Sequence, residues 1–303
     1  MLRATVRKRG QSALKVIVTG AGGLVGRAAV SSLTTAGDDV TGLDRNALDI
    51  SDESAVRATV ESQSPDVVIN CAAWTDVDGC EFDQQRAMRA NALGPELLAL
   101  ACRKVGALFI TISTDYVFDG EKEGFYTQRD QPNPLGVYAA SKLDGERRAQ
   151  ASWARTIVVR SGYIFGAGGL NFLSTFLDRA RRGQHLKVIN DSFGTPTYAS
   201  HLAGRFHRLA ELDLPGIYHI VNAGEGASFA QVAETAFEKA GLDRELLENI
   251  SLDSLSRPAP RPRNSRLRCL LSEAIGMEPM PYWRDAICEF AEETAAASPS
   301  EAT

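Results

Sequence analysis

The chain of 303 residues lacks the features that define several large classes of protein. Its apolar runs all fall short of the roughly 20 residues that cross a bilayer. Its first 13 residues contain no apolar core for a secretory signal. The formal net charge of -5 gives no general attraction to nucleic acid or to anionic membranes. We therefore expect neither a membrane nor a nucleic-acid partner.

Cysteine and histidine are also scarce. The five cysteines are odd in number and form no Cys-x-x-Cys pair, which argues against a disulfide framework or a zinc site and fits a reducing, cytoplasmic compartment. The four histidines are scattered without the spacing of metal ligands, so we interpret them as structural. The sequence thus predicts no metal site, although assistance by a Mg²⁺ ion stays open.

The two ends of the chain differ in composition from the remainder. Over the whole chain 44% of residues are hydrophobic and 23% are charged, which is ordinary for a globular protein. Residues 1–13 are basic and lack acidic side chains, whereas residues 294–303 are rich in Ala and Ser. We expect both ends to be flexible tails, with a transit peptide as the alternative for the first.

The first informative pattern is a glycine-rich turn. The apolar run Lys15–Thr19 predicts a buried strand, and Gly20-Ala-Gly-Gly-Leu-Val-Gly26 separates it from an apolar helical pattern. Glycines at such a point permit a tight turn and let a pyrophosphate approach the backbone at a helix N-terminus. This context favours dinucleotide binding over an ordinary turn.

The end of the second predicted strand, Asp39–Leu43, carries two opposing signals for the cofactor. Asp44 follows the glycines by about 20 residues, where an acidic side chain binds the adenosine ribose hydroxyls and favours NAD. Arg45 comes next and would instead contact the additional phosphate of NADP. NADH and NADPH therefore remain alternatives, as does a merely solvated strand end.

Further strands and helices follow in alternation. Residues 66–70 predict a buried third strand, and the mostly small residues 71–75 after it would leave room for a cofactor, with close packing as the alternative. A long helix is expected from about residue 82 to residue 104, bent or restarted at Pro95. This alternation predicts an α/β fold with a doubly wound parallel sheet.

A hydroxyl, a carboxylate and a Tyr-Lys pair form the candidate catalytic group. Residues 107–112 predict a buried strand, and Thr114 and Asp115 lie just past its end, where open α/β sheets bind ligands. Tyr138 and Lys142 are four residues apart and would share one face of a helix. A phenol beside an ammonium is a plausible proton donor, because the positive charge lowers the phenol pKa. A surface contact is the alternative for such a pair alone.

By these features the chain resembles the extended short-chain dehydrogenase/reductases of the Rossmann superfamily. Within them it resembles the dTDP-4-dehydrorhamnose reductase family, from about Leu14 to the C-terminal region. The most specific part of the resemblance is Ser113-Thr-Asp-Tyr-Val-Phe-Asp-Gly120. The other segments that carry it are Leu48-Asp-Ile-Ser-Asp52, Asn70-Cys-Ala-Ala-Trp-Thr-Asp-Val-Asp78, Tyr138-Ala-Ala-Ser-Lys-Leu-Asp-Gly-Glu146, Val159-Arg-Ser-Gly-Tyr-Ile-Phe-Gly166, Asn171-Phe172, Asp191-Ser-Phe-Gly-Thr-Pro-Thr197 and Arg261-Pro-Arg-Asn-Ser265.

The resemblance implies a role for each candidate side chain. Tyr138 would donate a proton to the sugar C4 carbonyl as hydride arrives from the nicotinamide, and Thr114 would hydrogen-bond the carbonyl oxygen. Lys142 would bind the nicotinamide ribose and keep the phenol acidic, and Asp115 would contact the sugar. Besides Tyr138 and Lys142, the cofactor residues would be Gly20, Gly23, Leu24, Val25, Asp44, Arg45, Asp49, Ile50, Ala73, Trp74 and Thr75. The remaining substrate residues would be Tyr163, Asn171 and Arg261.

Some positions depart from the family pattern. Leu24 stands where the family usually has Gln, Trp74 replaces a usual Tyr or His, and Ala139 replaces a frequent Gly. Tyr163 stands where the family often has a Trp that contacts the nucleotide-sugar.

The resemblance also implies how the functions are distributed between domains along the chain. Residues 14–165 would form the dinucleotide-binding Rossmann core, and residues 166–293 mainly a smaller substrate-binding lobe with some core elements. The implied activity is NAD(P)H-dependent reduction of the C4 ketone of a nucleotide-sugar, most simply forming dTDP-L-rhamnose, by an enzyme that could be a homodimer. The alternatives are an epimerase or dehydratase with tightly bound NAD and a non-catalytic NAD(P)-binding regulatory subunit. Tyr116, where many dehydratases have Glu, argues against dehydration.

Overall fold

Short strands and helices alternate along residues 13–169 and 171–297, the part of the chain that the computed structural model describes. The strands are β1 (Lys15–Thr19), β2 (Asp39–Leu43), β3 (Val67–Asn70), β4 (Leu108–Thr114), β5 (Thr156–Ser161), β6 (Ile164–Phe165), β7 (Leu186–Ile189), β8 (Phe193–Gly194), β9 (Thr197–Tyr198), β10 (Gly216–His219), β11 (Asn222–Ala223), β12 (Ala227–Ser228), β13 (Leu247–Ile250) and β14 (Met280–Tyr282). The helices are α1 (Leu24–Thr35), α2 (Glu53–Gln63), α3 (Val77–Phe82), α4 (Gln84–Met88), α5 (Gly94–Val105), α6 (Val137–Ser152), α7 (Phe172–Arg181), α8 (Ala199–Leu212), α9 (Phe229–Ala240), α10 (Leu270–Ala274) and α11 (Trp283–Ala297).

Six strands form one parallel sheet in the order β10-β5-β4-β3-β1-β2. The chain reverses its direction of travel across the sheet at β1, because β2 lies on one side of it and β3 on the other. Open α/β sheets bind ligands at such a switch point, beyond the carboxyl ends of the strands. The prediction of a doubly wound parallel sheet is confirmed.

Helices cover both faces of this sheet. Leu33 of α1 and Phe206 of α8 are buried against one face, and Val60 of α2 and Leu98 of α5 against the other. The strands are therefore apolar on both sides, as the run Val67–Asn70 illustrates, and this is the pattern of a fully covered parallel sheet.

The second half of the chain contributes both to this sheet and to a separate core. Strand β10 pairs in parallel with β5 and completes the sheet. A further apolar cluster joins α7, α9 and α11, with Phe237, Trp283 and Phe290 fully buried. The proposed boundary near residue 165 stays a prediction.

The long helix expected from about residue 82 to residue 104 is interrupted. A π-helical turn, Arg89–Leu93, separates α4 from α5, and Pro95 lies in the first turn of α5. The expectation of a restart near Pro95 is confirmed. Its physical reason is that a proline lacks the N–H that an uninterrupted helix would need at that position.

The ends of the chain lie mainly outside the described residues. The predicted N-terminal tail lies there except for Ala13, and so do residues 298–303 of the predicted C-terminal tail. Residues 294–297, by contrast, continue α11, which corrects the expected start of that tail. Alanine is the strongest helix former, so a run of it extends a helix readily. No helix within the described ranges is long and apolar enough to span a membrane.

Candidate active site

The glycine turn between β1 and α1 lies against the end of β3. Gly20 has φ +69°, and a Cβ there would lie 2.5 Å from the backbone nitrogen of Ala72. Only glycine allows both this conformation and this close approach. Gly23 precedes α1 and gives it no side-chain cap. The first N–H groups of α1 therefore form a ready site for an anion such as a pyrophosphate.

A cavity of about 790 Å³ opens beside this turn. Its volume lies within the range that cofactors and substrates occupy in proteins. The predicted cofactor residues that line it are Gly20, Gly23, Asp44, Arg45, Asp49, Ile50, Ala73 and Trp74. The structure thus brings together residues from the three loops that follow β1, β2 and β3.

The other predicted cofactor residues lie beyond this cavity lining. Leu24 and Val25 form the first turn of α1, and Thr75 is exposed beside Asp76, the N-cap of α3. Tyr138 and Lys142 lie on α6.

Two carboxylates of the cavity are held by local hydrogen bonds. Asp44 Oδ1 accepts from the backbone N–H groups of Asn46 at 2.9 Å and Ala47 at 3.0 Å. Asp49 Oδ1 accepts from the backbone N–H of Ser51 at 2.9 Å and from its hydroxyl at 2.8 Å. These bonds to Ser51 lower the pKa of Asp49, with further lowering by Arg45. Both acids therefore have fixed positions in the cavity wall.

Strand β4 brings Thr114 and Asp115 to the carboxyl edge of the sheet, where both are buried. Thr114 Oγ1 donates to Asp115 Oδ1 at 3.1 Å and accepts from the Tyr116 N–H at 3.1 Å. The Ser265 hydroxyl donates to the other carboxylate oxygen of Asp115. Burial raises the pKa of Asp115 to about 6, although the hydrogen bonds from Ser265 and Thr114 offset part of the rise.

Helix α6 carries Tyr138 and Lys142 one turn apart. The Lys142 ammonium is buried and donates to the Ile112 carbonyl of β4 at 2.6 Å. Burial lowers the pKa of Lys142 to about 8, and the negative charge of Glu146 opposes the change. The pKa of Tyr138 is raised above its ordinary value, mainly by burial and also by Asp115, while a hydrogen bond with Thr114 lowers it.

The expected lowering of the Tyr138 pKa by Lys142 is wrong for this structure. The ammonium is bound by a carbonyl group of β4, and the loss of hydration around the phenol is the larger effect. A phenol with a raised pKa stays protonated at neutral pH, so it can still serve as a proton donor.

The loop after β5 lies against Asp115. A Cβ on Gly162 would lie 2.3 Å from the Asp115 carboxylate, so only glycine fits. Tyr163 follows with φ +47°, an unfavourable conformation for a bulky residue. Its ring stacks on Phe229 with 4.1 Å between centroids, and its hydroxyl lies 3.2 Å from the Ser192 hydroxyl. Such strain is concentrated at functional sites.

Two predicted substrate residues have protein partners instead. Asn171 caps α7 through a hydrogen bond from the Ser174 N–H at 3.1 Å, and its amide donates to Gly166 at 2.7 Å. Arg261 is mostly buried and forms a bidentate ion pair with Asp78. These contacts fix the positions of both side chains, and their roles toward a substrate stay predictions.

Comparisons with known proteins agree with this geometry. A family model described as the RmlD substrate binding domain matches residues 14–296. A dTDP-4-dehydrorhamnose reductase from Streptomyces griseus is 39% identical over 279 residues, which cover 90% of this chain and 91% of that protein. The chain belongs to the dTDP-4-dehydrorhamnose reductase family.

Other members of this family are similar over nearly their whole length. The dTDP-4-dehydrorhamnose reductase from Mycobacterium tuberculosis is 37% identical over 295 residues, covering 95% of this chain and 94% of that protein. The crystal structure of the Bacillus anthracis reductase in complex with NADP has a TM-score of 0.90 and 31% identity, and the match covers 93% of this chain and 100% of that one. The resemblance stated from the sequence motifs is confirmed.

Asn91 is a residue of the cavity surroundings that the sequence analysis did not assign to the site. It is buried within the π-helical turn, and its Oδ1 accepts from the Trp74 N–H at 2.8 Å. Its Nδ2 donates to the Trp74 carbonyl at 3.0 Å and to the Ser141 hydroxyl at 3.0 Å. One side chain thus joins the cavity wall to the catalytic helix. The sequence feature that could have identified Asn91 is its position as a polar residue within a largely apolar helical pattern.

Metal binding has no support from the described residues. Within residues 13–169 and 171–297, no three or more His, Cys, Asp or Glu side chains are grouped so that they could hold a metal ion. The comparisons likewise give no support for Mg²⁺.

Proposed function

We propose that the protein reduces the C4 ketone of a nucleotide-linked deoxysugar, with NADPH or NADH as the hydride donor, and that the substrate is dTDP-4-dehydro-L-rhamnose. The observation that carries the proposal is the position of Thr114, Tyr138 and Lys142 at the carboxyl edge of β4, beside a cavity lined by dinucleotide-type residues. The names of the related reductases support the same substrate class.

The residues around the cavity suit a dinucleotide. The turn at Gly20 has no room for a side chain, and the uncapped N-terminus of α1 offers N–H groups for a pyrophosphate. When bound, the nicotinamide would supply the hydride for the ketone carbon. Lys142, with Tyr138 on the same helix, would hold the nicotinamide ribose.

The chain's own contribution would be positioning, a proton and charge stabilisation. The Thr114 hydroxyl would hydrogen-bond the C4 oxygen of the substrate. As negative charge develops on that oxygen, Tyr138 would donate its phenolic proton and form the C4 hydroxyl. Asp115, fixed by Thr114 and Ser265, would contact the sugar. Residues 14–165 would bind the dinucleotide, and residues 166–293 would form most of the substrate side, with Tyr163 stacked against it on Phe229.

The test is oxidation of NADPH, and separately NADH, in the presence of dTDP-4-dehydro-6-deoxy-L-mannose made in situ. We expect one cofactor molecule to be oxidised for each sugar reduced. Conversion of a nucleotide-sugar without net cofactor oxidation would instead favour the epimerase or dehydratase reading. Binding of cofactor without turnover of any keto-sugar would favour a regulatory subunit. A homodimer, a cytoplasmic location and assistance by Mg²⁺ stay predictions from the sequence.

A further inference from the structure

Two side chains of opposite charge lie in the interior beside the Tyr-Lys pair. Glu146 of α6 and Arg160 of β5 are each only 3% exposed. Arg160 Nε donates to Glu146 Oε1 at 2.9 Å, and Arg160 Nη2 donates to Glu146 Oε2 at 2.6 Å, which makes the ion pair bidentate. Both residues belong to segments that carry the family resemblance, but the sequence analysis gave neither a role.

Stability alone does not account for this pair. The loss of hydration by two buried charges offsets much of their attraction, and apolar groups of similar volume often serve the fold equally well. Arg160 is held further by the Phe118 ring, whose centroid lies 5.3 Å from the guanidinium carbon. His219 pairs with Arg160 between β10 and β5, and burial together with the Arg160 charge lowers the pKa of His219 to about 3, so the imidazole is neutral. Glu146 therefore has its carboxylate fixed by a guanidinium group that is itself held in place.

Lys142 lies one helical turn before Glu146 on α6 and is buried as well. Residues four apart on a helix share one face. The Lys142 ammonium donates to the Ile112 carbonyl at 2.6 Å, but a neutral carbonyl brings no opposite charge. Burial lowers the pKa of Lys142, and Glu146 is the acid that opposes this effect.

The other titratable groups around Lys142 carry less weight. Burial raises the pKa of the Cys71 thiol, after β3, to about 12, so the thiol is neutral. The pKa of Tyr138, on the same helix, is likewise raised by burial, and Asp115 at the end of β4 adds to that rise. Glu146 is therefore the acid whose charge supports the Lys142 ammonium.

We propose that Glu146, fixed by Arg160, is a positioning residue that keeps the Lys142 ammonium charged where it binds the nicotinamide ribose. This inference rests on the proposed function, since it takes Lys142 to hold that ribose. A direct ion pair between Lys142 and Glu146 would draw the ammonium away from the cofactor. A carboxylate held at a distance by Arg160 stabilises the charge through space and leaves the N–H groups of Lys142 free to bind the ribose.

Carbon-13 NMR of the full chain, with lysine labelled at Cε, tests the inference without turnover. The Lys142 signal is the one that is absent from Lys142→Met. In the wild-type chain we expect it to titrate near pH 8. In Glu146→Gln it should titrate at least about one pH unit lower, because the loss of a nearby opposite charge changes a pKa by that much. The fall of kcat/KM on the basic side should move to lower pH by the same amount.

Three further variants separate this role from a merely structural one. Glu146→Gln leaves Arg160 buried without its partner, so the double variant Glu146→Gln/Arg160→Gln replaces the ion pair by two neutral amides and removes that cost. Its Lys142 signal should still titrate below the wild-type value, because the carboxylate is missing. Glu146→Asp keeps the charge and should return the titration close to the wild-type value. Asp144→Asn is the matched control, because it removes an exposed carboxylate of the same helix, bound to Arg148 at 2.7 Å, and should leave the titration unchanged.

The outcomes distinguish this inference from the proposed function. A wild-type titration of Lys142 in both Glu146→Gln and the double variant would overturn the inference. A shifted titration with an unmoved kcat/KM profile would overturn the part that concerns the cofactor. If the titration shifts but the wild-type chain reduces no keto-sugar, the support of the ammonium by Glu146 stands and the proposed function fails. Circular dichroism of each variant checks that the fold is retained.

Discussion

At the scale of single residues, the site depends on a phenol whose surroundings keep it protonated. Burial and Asp115 raise the pKa of Tyr138, and the Thr114 hydroxyl lies beside it. The role of Tyr138 as proton donor can therefore be tested apart from binding.

Tyr138→Phe should lower kcat by about 10² to 10⁴, the usual contribution of a positioned acid. Cofactor affinity, measured by quenching of protein fluorescence, should stay within about twofold, since only one hydroxyl is removed. Tyr282→Phe is a matched control, because its hydroxyl bonds Glu225 in the C-terminal part of the chain at 2.7 Å. Unchanged kcat in Tyr138→Phe would remove Tyr138 from the chemistry.

The fall in rate on the basic side of the pH–rate profile should reflect deprotonation of Lys142 rather than of Tyr138. Burial lowers the pKa of Lys142 to about 8 and raises that of Tyr138 above its ordinary value. With rising pH, Lys142 therefore loses its proton first, and with it the positive charge at the nicotinamide ribose. We expect kcat/KM to fall above about pH 8 and the fall to disappear from the much weaker activity of Lys142→Met. The same limb in Lys142→Met would contradict this assignment.

Gly162 is needed because there is no room for a Cβ atom at its position. Its substitution by Ala would place a Cβ 2.3 Å from the Asp115 carboxylate, so the carboxylate or the loop must move. Overpacking of this kind costs about 1–3 kcal/mol in the free energy of unfolding. Denaturant unfolding of Gly162→Ala checks the value. Gly204→Ala on α8 is the control, because nothing lies within 4 Å of a Cβ there, and an equal stability of the two variants would contradict the argument.

At the scale of the element, the π-helical turn Arg89–Leu93 gives Asn91 its position. A helix pattern with Pro95 was enough to predict the interruption, but not its π-helical form or the partners of Asn91. Those partners, Trp74 and Ser141, lie 17 and 50 positions away in the sequence. Such turns occur often at functional sites.

Asn91→Ala should destabilise the protein by about 1–3 kcal/mol, because it leaves the Trp74 N–H without its partner and the Trp74 C=O with only the weak Cys80 thiol donor. Cofactor affinity should weaken as well, since Trp74 lines the cavity. Ser141→Ala removes only one of the three bonds and should cost less in both thermal unfolding and cofactor titration. Equal effects in the two variants would show that the Trp74 contacts contribute little.

Local sequence patterns predicted part of the site, whereas contacts between residues far apart in the sequence were not predicted. The glycine turn, Asp44 and the Tyr138-Lys142 pair are local patterns, and the structure places each in its expected element. The partner of Arg261 is Asp78, 183 positions away, and no local pattern signals such an ion pair. The raised pKa of Tyr138 depends likewise on burial, which only the packed structure reveals.

At the scale of the whole molecule, the two halves of the chain share the core of the six-stranded sheet. Strand β10 pairs with β5, and Phe206 of α8 is buried with Leu33 of α1. The expected alternation of strands and helices predicted the sheet, but the return of β10 to its edge follows only from the three-dimensional pairing.

Thermal unfolding should accordingly be one cooperative transition. Separate transitions are common in chains of this length, but here separation would expose the β5 edge and the apolar surface beneath α8. Differential scanning calorimetry should give a van't Hoff enthalpy close to the calorimetric one. Two resolved transitions would show that residues 14–165 and 166–293 unfold independently.

The late position of β10 in the chain also affects synthesis on the ribosome. Ile157 of β5 pairs with Gly216 of β10, so 59 further residues must be added before the edge of β5 has its neighbour. At about 5–20 residues per second, this takes about 3–12 s. During that interval a nascent chain carries an open, apolar strand edge, which can pair with other chains. The yield of folded protein on expression should therefore depend strongly on temperature and on the supply of chaperones. This dependence should be stronger than the stability of the folded protein alone would predict.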